Sequence, residues 1–106
     1  MTANSWLVYM ILADDQLLYT GITTDMQRRW QQHTSGKAGA RFFRGRKPLQ
    51  LCFLELHPDR SSASKREYAI KQLARTAKEN LLAITDSNTR LLLAELQLTL
   101  PDHQPA

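Results

Sequence analysis

The stretch that decides the fold is WLVYMIL at residues 6–12, followed by ADDQ at residues 13–16 and LLYTG at residues 17–21. The first run is apolar throughout, which is typical of a strand that is covered on both faces. The second run is shorter, and the four residues between the two runs favour a turn. The sequence therefore predicts a β-hairpin with one tyrosine on each strand, Tyr9 and Tyr19.

The relative orientation of these tyrosines depends on the length of the hairpin loop. A three-residue loop, residues 13–15, would set Tyr9 opposite Tyr19, so that both rings emerge on one face. A four-residue loop would set Tyr9 opposite Thr20 and send the rings to opposite faces, because side chains alternate along a strand. The sequence leaves both registers open, and strand tyrosines also commonly serve only to pack a core.

The rest of the chain predicts helices and one further strand. Residues 23–25 offer N-cap side chains for a helix that reaches residue 34, and Gly36 is suited to end it. The later elements are a basic loop at 37–48, a strand at 49–57, a helix that opens at 58–62 and runs to 76, a helical piece at 77–83, a turn at 85–88 and a last helix at 90–98. This order predicts an α+β fold, with a three-stranded sheet flanked by helices.

Length and composition predict one small soluble domain. The chain has 106 residues, of which 42% are apolar and 23% charged, and this balance is typical of globular proteins. No apolar run approaches the roughly 20 residues that span a bilayer, and the first residues do not resemble a signal peptide. The single cysteine, Cys52, excludes an internal disulfide and favours a cytoplasmic location. Cys52 lies in an apolar run, so we expect it to be buried and unreactive.

Positive charge is concentrated in one segment. The net charge is +4, yet residues 26–54 contain seven Lys or Arg residues and no acid, whereas the rest of the chain has seven bases and ten acids. A positive lobe on an acidic body indicates a polyanion binder, and a solvated basic loop is the alternative. Phe42 and Phe43 lie in this segment and either stack on bases or pin the loop to the core. The predicted nucleic-acid contacts in the loop are Lys37, Arg41, Arg44, Arg46 and Lys47.

The first predicted helix places an arginine and a histidine on its packed side. Met26, Arg29, Trp30 and His33 follow the i, i+3, i+4, i+7 spacing of one helical stripe, whereas Arg28 faces water. A guanidinium at the edge of packed structure needs a partner, either a protein carboxylate or a ligand phosphate, unless its stem merely extends over the sheet. His33 is interpreted either as a satisfied histidine or as part of a site.

One carboxylate, Glu67, lies on the flank of the apolar stripe of the second predicted helix. Residues 64–67 match a capping box, and an ion pair with Arg29 or Arg66 would explain Glu67 equally well. A metal ligand is the third interpretation. Other metal and nucleotide signatures are absent from the sequence, and the three histidines lack metal-ligand spacing.

Taken in order, these residues resemble the GIY-YIG nuclease superfamily, in particular its small stand-alone bacterial members. Leu7-Val8-Tyr9 matches the first signature at its tyrosine, and Tyr19-Thr20-Gly21 matches the second at its tyrosine and glycine. Arg29 follows ten residues after the second tyrosine, and His33 follows four residues later. Glu67 matches the acidic residue of a later helix.

The resemblance covers about residues 5–83 and implies a three-stranded antiparallel sheet surrounded by helices. It also implies a metal-dependent endonuclease that hydrolyses phosphodiester bonds in DNA, with branched or damaged DNA and a role in repair or recombination as the expected context. The expected partner is nucleic acid, DNA rather than RNA, with no membrane. A non-catalytic nucleic-acid-binding module that retains the fold is the alternative, and a protein-interaction domain is a third reading.

The resemblance also implies roles for the site residues. Glu67 would hold one divalent ion, Mg²⁺ or Mn²⁺, and Arg29 would steady the phosphate. Tyr9 or Tyr19 would help to deprotonate the attacking water, and the other tyrosine and His33 would contact the phosphate. Elementary chemistry agrees, because attack on an anionic phosphodiester requires positive charge near the scissile group.

The predicted domain organisation is simple. Residues 1–83 form the nuclease-like domain, residues 84–100 a helical extension packed on it, and residues 101–106 a flexible tail. The apolar residues 91–96 either complete the core or contact a second copy or a protein partner. Such a partner would strengthen a grip on nucleic acid that otherwise depends on the basic loop.

Overall fold

The structure, a computed structural model, describes residues 5–36 and 38–96. Its elements in chain order are β1 Trp6–Ala13, β2 Leu18–Thr23, α1 Met26–Ser35, a 3₁₀ turn Arg41–Phe43, β3 Pro48–His57, α2 Arg60–Lys71 and α3 Arg75–Glu95. The three strands form one antiparallel sheet in the order β2-β1-β3. The predicted α+β class and three-stranded antiparallel sheet are confirmed.

The hairpin adopts a register that neither predicted loop length gives. Tyr9 lies opposite Gly21, because residues 13–17 connect the paired parts of the two strands. Gln16 takes a left-handed conformation in this loop, with φ 72°. Tyr19 is two residues from Gly21 on β2, so its ring emerges on the same face of the sheet as that of Tyr9.

Both faces of the sheet are covered, as the apolar run of β1 predicts. Alternate residues of β1 enter two separate cores, because side chains alternate across a strand. The core of the first face, under α1 and the 3₁₀ turn, contains Leu7, Tyr9, Ile11, Ala13, Met26, Trp30, Phe43, Leu51 and Leu54. The core of the second face, under α2, contains Val8, Met10, Phe53, Ala63 and Ile70.

Helix α3 passes along the outer edge of β3 and contributes to both cores. Leu81 packs against the core of the second face, and Leu92 packs against the core of the first face. Between them, the buried hydroxyl of Thr89 accepts a hydrogen bond of 3.2 Å from the Leu54 amide. The helix therefore satisfies a backbone donor that the edge of a sheet would otherwise expose.

The turn predicted at residues 85–88 is wrong, because α3 is continuous through it. The polar residues there find partners within the helix: the Thr85 hydroxyl donates to the carbonyl one turn earlier at 2.7 Å. Asp86 pairs with Arg90 at 2.9 Å across one further turn. The break between helices lies instead at residues 72–74. Local preferences for a turn are thus outweighed by helical partners and by packing along the sheet.

The predicted division between residues 1–83 and 84–100 falls within α3, and the segment 97–106 lies outside the described residues. Among the described residues, no helix combines the length and the apolar character needed to cross a membrane. The thiol of Cys52 donates to the Met10 carbonyl at 3.4 Å. Burial raises the pKa of Cys52 to about 12, which confirms the expectation of an unreactive thiol.

Candidate active site

Three of the predicted site residues meet on the first face of the sheet. The ring of Tyr9 is fully buried on β1, and its Oη lies 2.8 Å from Nε2 of His33. Arg29 donates to the same oxygen from Nε at 3.4 Å. Helix α1 brings these residues together because Met26 and Trp30 are buried against the sheet, and the stripe that they define also carries Arg29 and His33.

The sequence fixes the start and end of α1 as predicted. The Asp25 carboxylate accepts a hydrogen bond of 3.1 Å from the Arg28 amide and caps the N-terminus. Gly36 ends the helix with φ 78°, a left-handed conformation that favours glycine. The side chain of Arg28 is exposed, as expected from its position away from the packed stripe.

Tyr19 joins this group through an aromatic cluster. Its ring centroid lies 6.1 Å from that of Tyr9 and 5.5 Å from that of His33. Phe42 and Phe43 contact Tyr19 at 5.2 and 5.3 Å, and Phe43 also packs on His33 at 4.6 Å. The two phenylalanines therefore pin the basic loop to the site, which is one of the two alternatives that the sequence left open.

Gly21 is required by the close approach of Tyr9. A Cβ at residue 21 would lie 2.6 Å from Tyr9 Oη and 2.7 Å from Tyr9 Cζ. No side chain fits at such distances without movement of the ring. The glycine of the second signature thus allows the buried phenol to lie across the backbone of β2.

The guanidinium of Arg29 has no carboxylate partner within residues 5–36 and 38–96. Its Nη1 donates to Gln32 Oε1 and to the Ala38 carbonyl, both at 2.9 Å. Ala38 is left-handed, with φ 59°, which is uncommon for a residue other than glycine. The protein therefore holds Arg29 with neutral acceptors, and the positive charge remains available to an anion.

Burial sets the protonation states of this cluster. Burial is the largest cause that raises the pKa of Tyr9 above its usual range, and neighbouring Tyr19 raises it further. Burial and then the positive charge of Arg29 lower the pKa of His33 to about 4. At neutral pH, Tyr9 therefore keeps its proton and His33 is uncharged.

Glu67 lies apart from this cluster, on the helix that covers the second face. Ala63 and Ile70, one turn before and after it, are buried against that face. Its carboxylate, with 23% of the side chain exposed, pairs with Lys71 Nζ at 3.2 Å. Within the described residues, no hydrogen bond or ion pair joins Glu67 to Tyr9. The structure therefore brings together four of the five predicted site residues.

The alternative explanations for Glu67 are also corrected. The N-cap of α2 is Asp59, whose carboxylate accepts a hydrogen bond of 2.8 Å from the Ser62 amide. The capping-box interpretation of residues 64–67 is therefore wrong. Neither Arg29 nor Arg66 forms an ion pair with Glu67 in the described part of the chain.

The direction of Glu67 follows from its neighbour on the helix. Arg66 donates from Nε to Glu55 on β3 at 3.0 Å. Successive residues of a helix are about 100° apart, so Glu67 projects from the other flank of α2, toward the strand that carries Tyr19. Among described residues, no group of three or more His, Cys, Asp or Glu side chains could hold a metal. One carboxylate with water and a substrate phosphate nevertheless suits Mg²⁺, and Glu67 fits that donor set.

The five basic residues predicted to contact nucleic acid differ in their surroundings. Arg46 pairs with Asp15 at 2.6 Å, and its guanidinium lies 4.6 Å from the centre of the Phe42 ring. Lys37 lies outside the described residues. The side chains that face solvent are those of Arg41, Arg44 and Lys47. Their charge lies beside the site, because the 3₁₀ turn packs on Tyr19.

Sequence reasoning missed the contacts that hold the cluster from the loop side. The Ala40 amide donates to Nδ1 of His33 at 3.2 Å, and the Ala38 carbonyl accepts from Arg29. Backbone groups leave no signal in residue type, so neither contact was foreseeable. Gln32 was foreseeable, because it lies three residues after Arg29 on the same helix.

Comparisons with other proteins agree with this arrangement. Residues 5–80 match the family described as the GIY-YIG catalytic domain. The chain is 49% identical over 82 residues to UPF0213 protein DP2720 of Desulfotalea psychrophila, covering 77% of this chain and 74% of that protein. It is 51% identical over 78 residues to UPF0213 protein YhbQ of Escherichia coli, covering 74% and 77%. The solution NMR structure of UPF0213 protein BH0048 from Bacillus halodurans matches with a TM-score of 0.52 and 38% identity, covering 77% of this chain and 86% of that one.

Proposed function

Because the chain belongs to the GIY-YIG catalytic-domain family, we propose that it is a metal-dependent endonuclease that hydrolyses phosphodiester bonds in DNA. The domain of this family is generally an endonuclease domain. The observation that carries the proposal is the position of Arg29, a cation without a carboxylate partner in the described residues, beside two tyrosines. This combination suits an anionic group under attack.

Arg29 is the proposed clamp on the scissile phosphate. A guanidinium has five N–H groups, and three of those of Arg29 are used by Tyr9, Gln32 and Ala38. These contacts fix the plane of the group and leave the two N–H groups of Nη2 for phosphate oxygens. A pre-positioned donor of this kind stabilises charge that develops during attack.

We assign the activation of water to Tyr19 and a positioning role to Tyr9. Burial raises the pKa of Tyr9, so this phenol keeps its proton and is unsuited to act as a base. Tyr19 is only half-buried, and it packs directly on Tyr9. A divalent ion held by Glu67 would supply Lewis-acid stabilisation of the leaving oxygen.

The basic loop is the proposed grip on the DNA backbone. Arg41, Arg44 and Lys47 are exposed beside the site, and contacts of Lys and Arg with phosphates weaken as salt rises. Loop contacts with phosphates carry no sequence information. We therefore propose a substrate chosen by shape, such as branched or damaged DNA, and a role in repair or recombination.

A nicking assay tests the proposal. The purified chain is incubated with labelled linear, nicked and branched DNA in Mg²⁺ and in Mn²⁺, beside Arg29→Ala and Glu67→Ala. Glu79→Ala is the matched control, because Glu79 pairs with Arg75 four residues away as Glu67 pairs with Lys71. Nicking by wild type and Glu79→Ala, absent from the other two variants, supports the enzyme. Nicking that survives in Glu67→Ala contradicts its role as metal ligand.

The second candidate is a nucleic-acid-binding module without catalysis. One observation favours it: Glu67 is paired with Lys71 on the face opposite Tyr9. DNA binding that persists in Arg29→Ala and Glu67→Ala, with no nicking by any form, would support the module. In both cases, Arg41→Glu/Arg44→Glu should abolish binding while the fold remains intact. Unchanged binding by this double variant would show that the loop is not the grip.

A further inference from the structure

We infer that the backbone amide of Ala40 holds His33 as a single tautomer, with its proton on Nε2, so that His33 acts on Tyr9 only as a hydrogen-bond donor. The tautomer follows from the geometry alone. Its role in the reaction rests on the proposed function. Ala40 is accordingly a positioning residue that acts through its main chain.

The assignment depends on which atoms can donate. A backbone amide donates and never accepts, and that of Ala40 lies 3.2 Å from His33 Nδ1 with its N–H directed at the ring. Nδ1 must therefore present a lone pair. A neutral imidazole carries one proton, so that proton is on Nε2, 2.8 Å from Tyr9 Oη.

The surroundings of the ring keep it neutral. His33 is 2% exposed, and the side chains that contact it are Tyr9 from β1, Tyr19 from β2 and Phe43 from the 3₁₀ turn. The charged group that faces it is Arg29, which opposes a second positive charge. Within the described residues, no carboxylate contacts the ring to stabilise an imidazolium.

The locked tautomer decides what Tyr9 can do. Its oxygen receives one hydrogen bond from His33 and a second from Arg29, which fills the acceptor capacity of a phenol. The hydroxyl proton is then available only to an acceptor outside this pair, either the Tyr19 oxygen or an oxygen of the substrate. His33 cannot take that proton, because Nε2 already carries one and Nδ1 is engaged by the amide.

Two backbone groups of one loop thus organise both donors. The Ala38 carbonyl holds Arg29, the Ala40 amide holds His33, and both side chains converge on Tyr9 Oη. The loop continues directly into the exposed Arg41. The segment 38–40 therefore links the proposed grip on DNA to the orientation of the site.

Histidine NMR tests the tautomer without an activity. Long-range ¹H–¹⁵N spectra of the full-length ¹⁵N-labelled chain are recorded between about pH 5.5 and pH 8, and the His33 signals are those missing from His33→Gln. We expect the Nε2–H pattern for His33, unchanged across this range. The His57→Gln spectrum controls the assignment, because His57 lies outside the cluster. An Nδ1–H pattern, an average of two tautomers or a doubly protonated ring would overturn the inference.

The donor role is tested by comparing His33→Gln with His33→Ala. Glutamine offers an N–H donor near the position of Nε2 but cannot act as a base. We expect nicking to fall about 3- to 10-fold in His33→Gln and about 100-fold in His33→Ala, the loss typical of one pre-positioned donor. Equal losses in both variants would remove the donor role. If wild type does not nick DNA, the proposed function fails, but the spectra still decide the tautomer.

Discussion

Two polar networks lie on opposite faces of the sheet, and they differ in charge balance. On the first face, Arg29 and His33 converge on the phenol of Tyr9, and the cation finds only neutral acceptors in the described residues. On the second face, the network around Glu55 joins a carboxylate to a guanidinium. One network is short of an anion, whereas the other already contains one.

The second-face network joins β3 to α2. Glu55 accepts hydrogen bonds from Arg66 at 3.0 Å and from His57 Nε2 at 2.7 Å. The other nitrogen of His57 lies 2.6 Å from the Ser62 hydroxyl, near the start of α2. Because its charges are matched internally, this network stabilises the fold without a ligand, and its position far from the basic loop gives it no access to DNA. The difference teaches that the missing anion, rather than the presence of His and Arg, marks the candidate site.

The largest contrast is expected between the two arginines. Arg29→Ala should lower nicking by about 1,000-fold, because it removes the cation at the scissile phosphate. Arg66→Ala should leave nicking within about twofold but lower the free energy of unfolding by about 1 kcal/mol, since a partly exposed ion pair is lost. Nicking rates and urea denaturation of both variants measure this. Similar losses of nicking in both would erase the distinction between the networks.

A methyl group at residue 21 should disrupt the first-face network alone. In Gly21→Ala the new Cβ would overlap Tyr9, so we expect about 100-fold slower nicking and a free energy of unfolding lower by about 1–3 kcal/mol. Gly45→Ala is the control, because residue 45 is also left-handed but has nothing within 4 Å of a Cβ. It should lose about 1 kcal/mol and keep its nicking rate. Wild-type nicking by Gly21→Ala would show that the position of Tyr9 is unimportant.

Stability should depend on pH through His33. Its pKa is about 4 in the folded protein against 6.5 as the ordinary value, so the unfolded chain binds more protons between these values. The free energy of unfolding should therefore be intact above about pH 7 and fall by about 2 kcal/mol on going to pH 5. Urea denaturation at both pH values measures this fall. The dependence should disappear in His33→Gln and persist in His57→Gln, and persistence in His33→Gln would assign it elsewhere.

The smallest effects concern the two left-handed residues near Arg29. Ala38→Gly keeps the carbonyl that binds Arg29 and relieves an unfavourable backbone conformation. It should raise the free energy of unfolding by up to about 1 kcal/mol. Gly36→Ala should lower it by about 1 kcal/mol, because a Cβ is introduced at φ 78°. Thermal unfolding of both variants decides the sign, and destabilisation by Ala38→Gly would show that the alanine side chain makes contacts of its own.

The sequence predicted the parts of the molecule that depend on periodicity. The stripe that carries Arg29 and His33 follows from the 3.6-residue repeat of α1, and the apolar run of β1 required cover on both faces. The register of the hairpin was not predictable, since it depends on the left-handed residue Gln16 in a five-residue connection. Periodicity indicates which residues share an element, but not how two elements align.

The rest of the site depends on information that residue types do not carry. The Ala38 and Ala40 contacts are made by the main chain, so any residue with the same backbone would provide them. Glu67 was placed correctly on the flank of its helix, but the face of the sheet that α2 covers is a property of the whole topology. The continuity of α3 likewise follows from its packing along β3, which overrides the local preference of Thr85 and its neighbours for a turn.

The hydrogen bond between Thr89 and the Leu54 amide has a consequence for self-association. An edge strand with free amides is a template on which another chain can add a strand, and ten-residue β3 would be a long template. Helix α3 occupies that edge, so polymerisation of the sheet from this side is blocked while the helix stays in place. Proteolysis between α2 and α3 would remove the block, and fibril formation by a chain cleaved there is the expected sign of it.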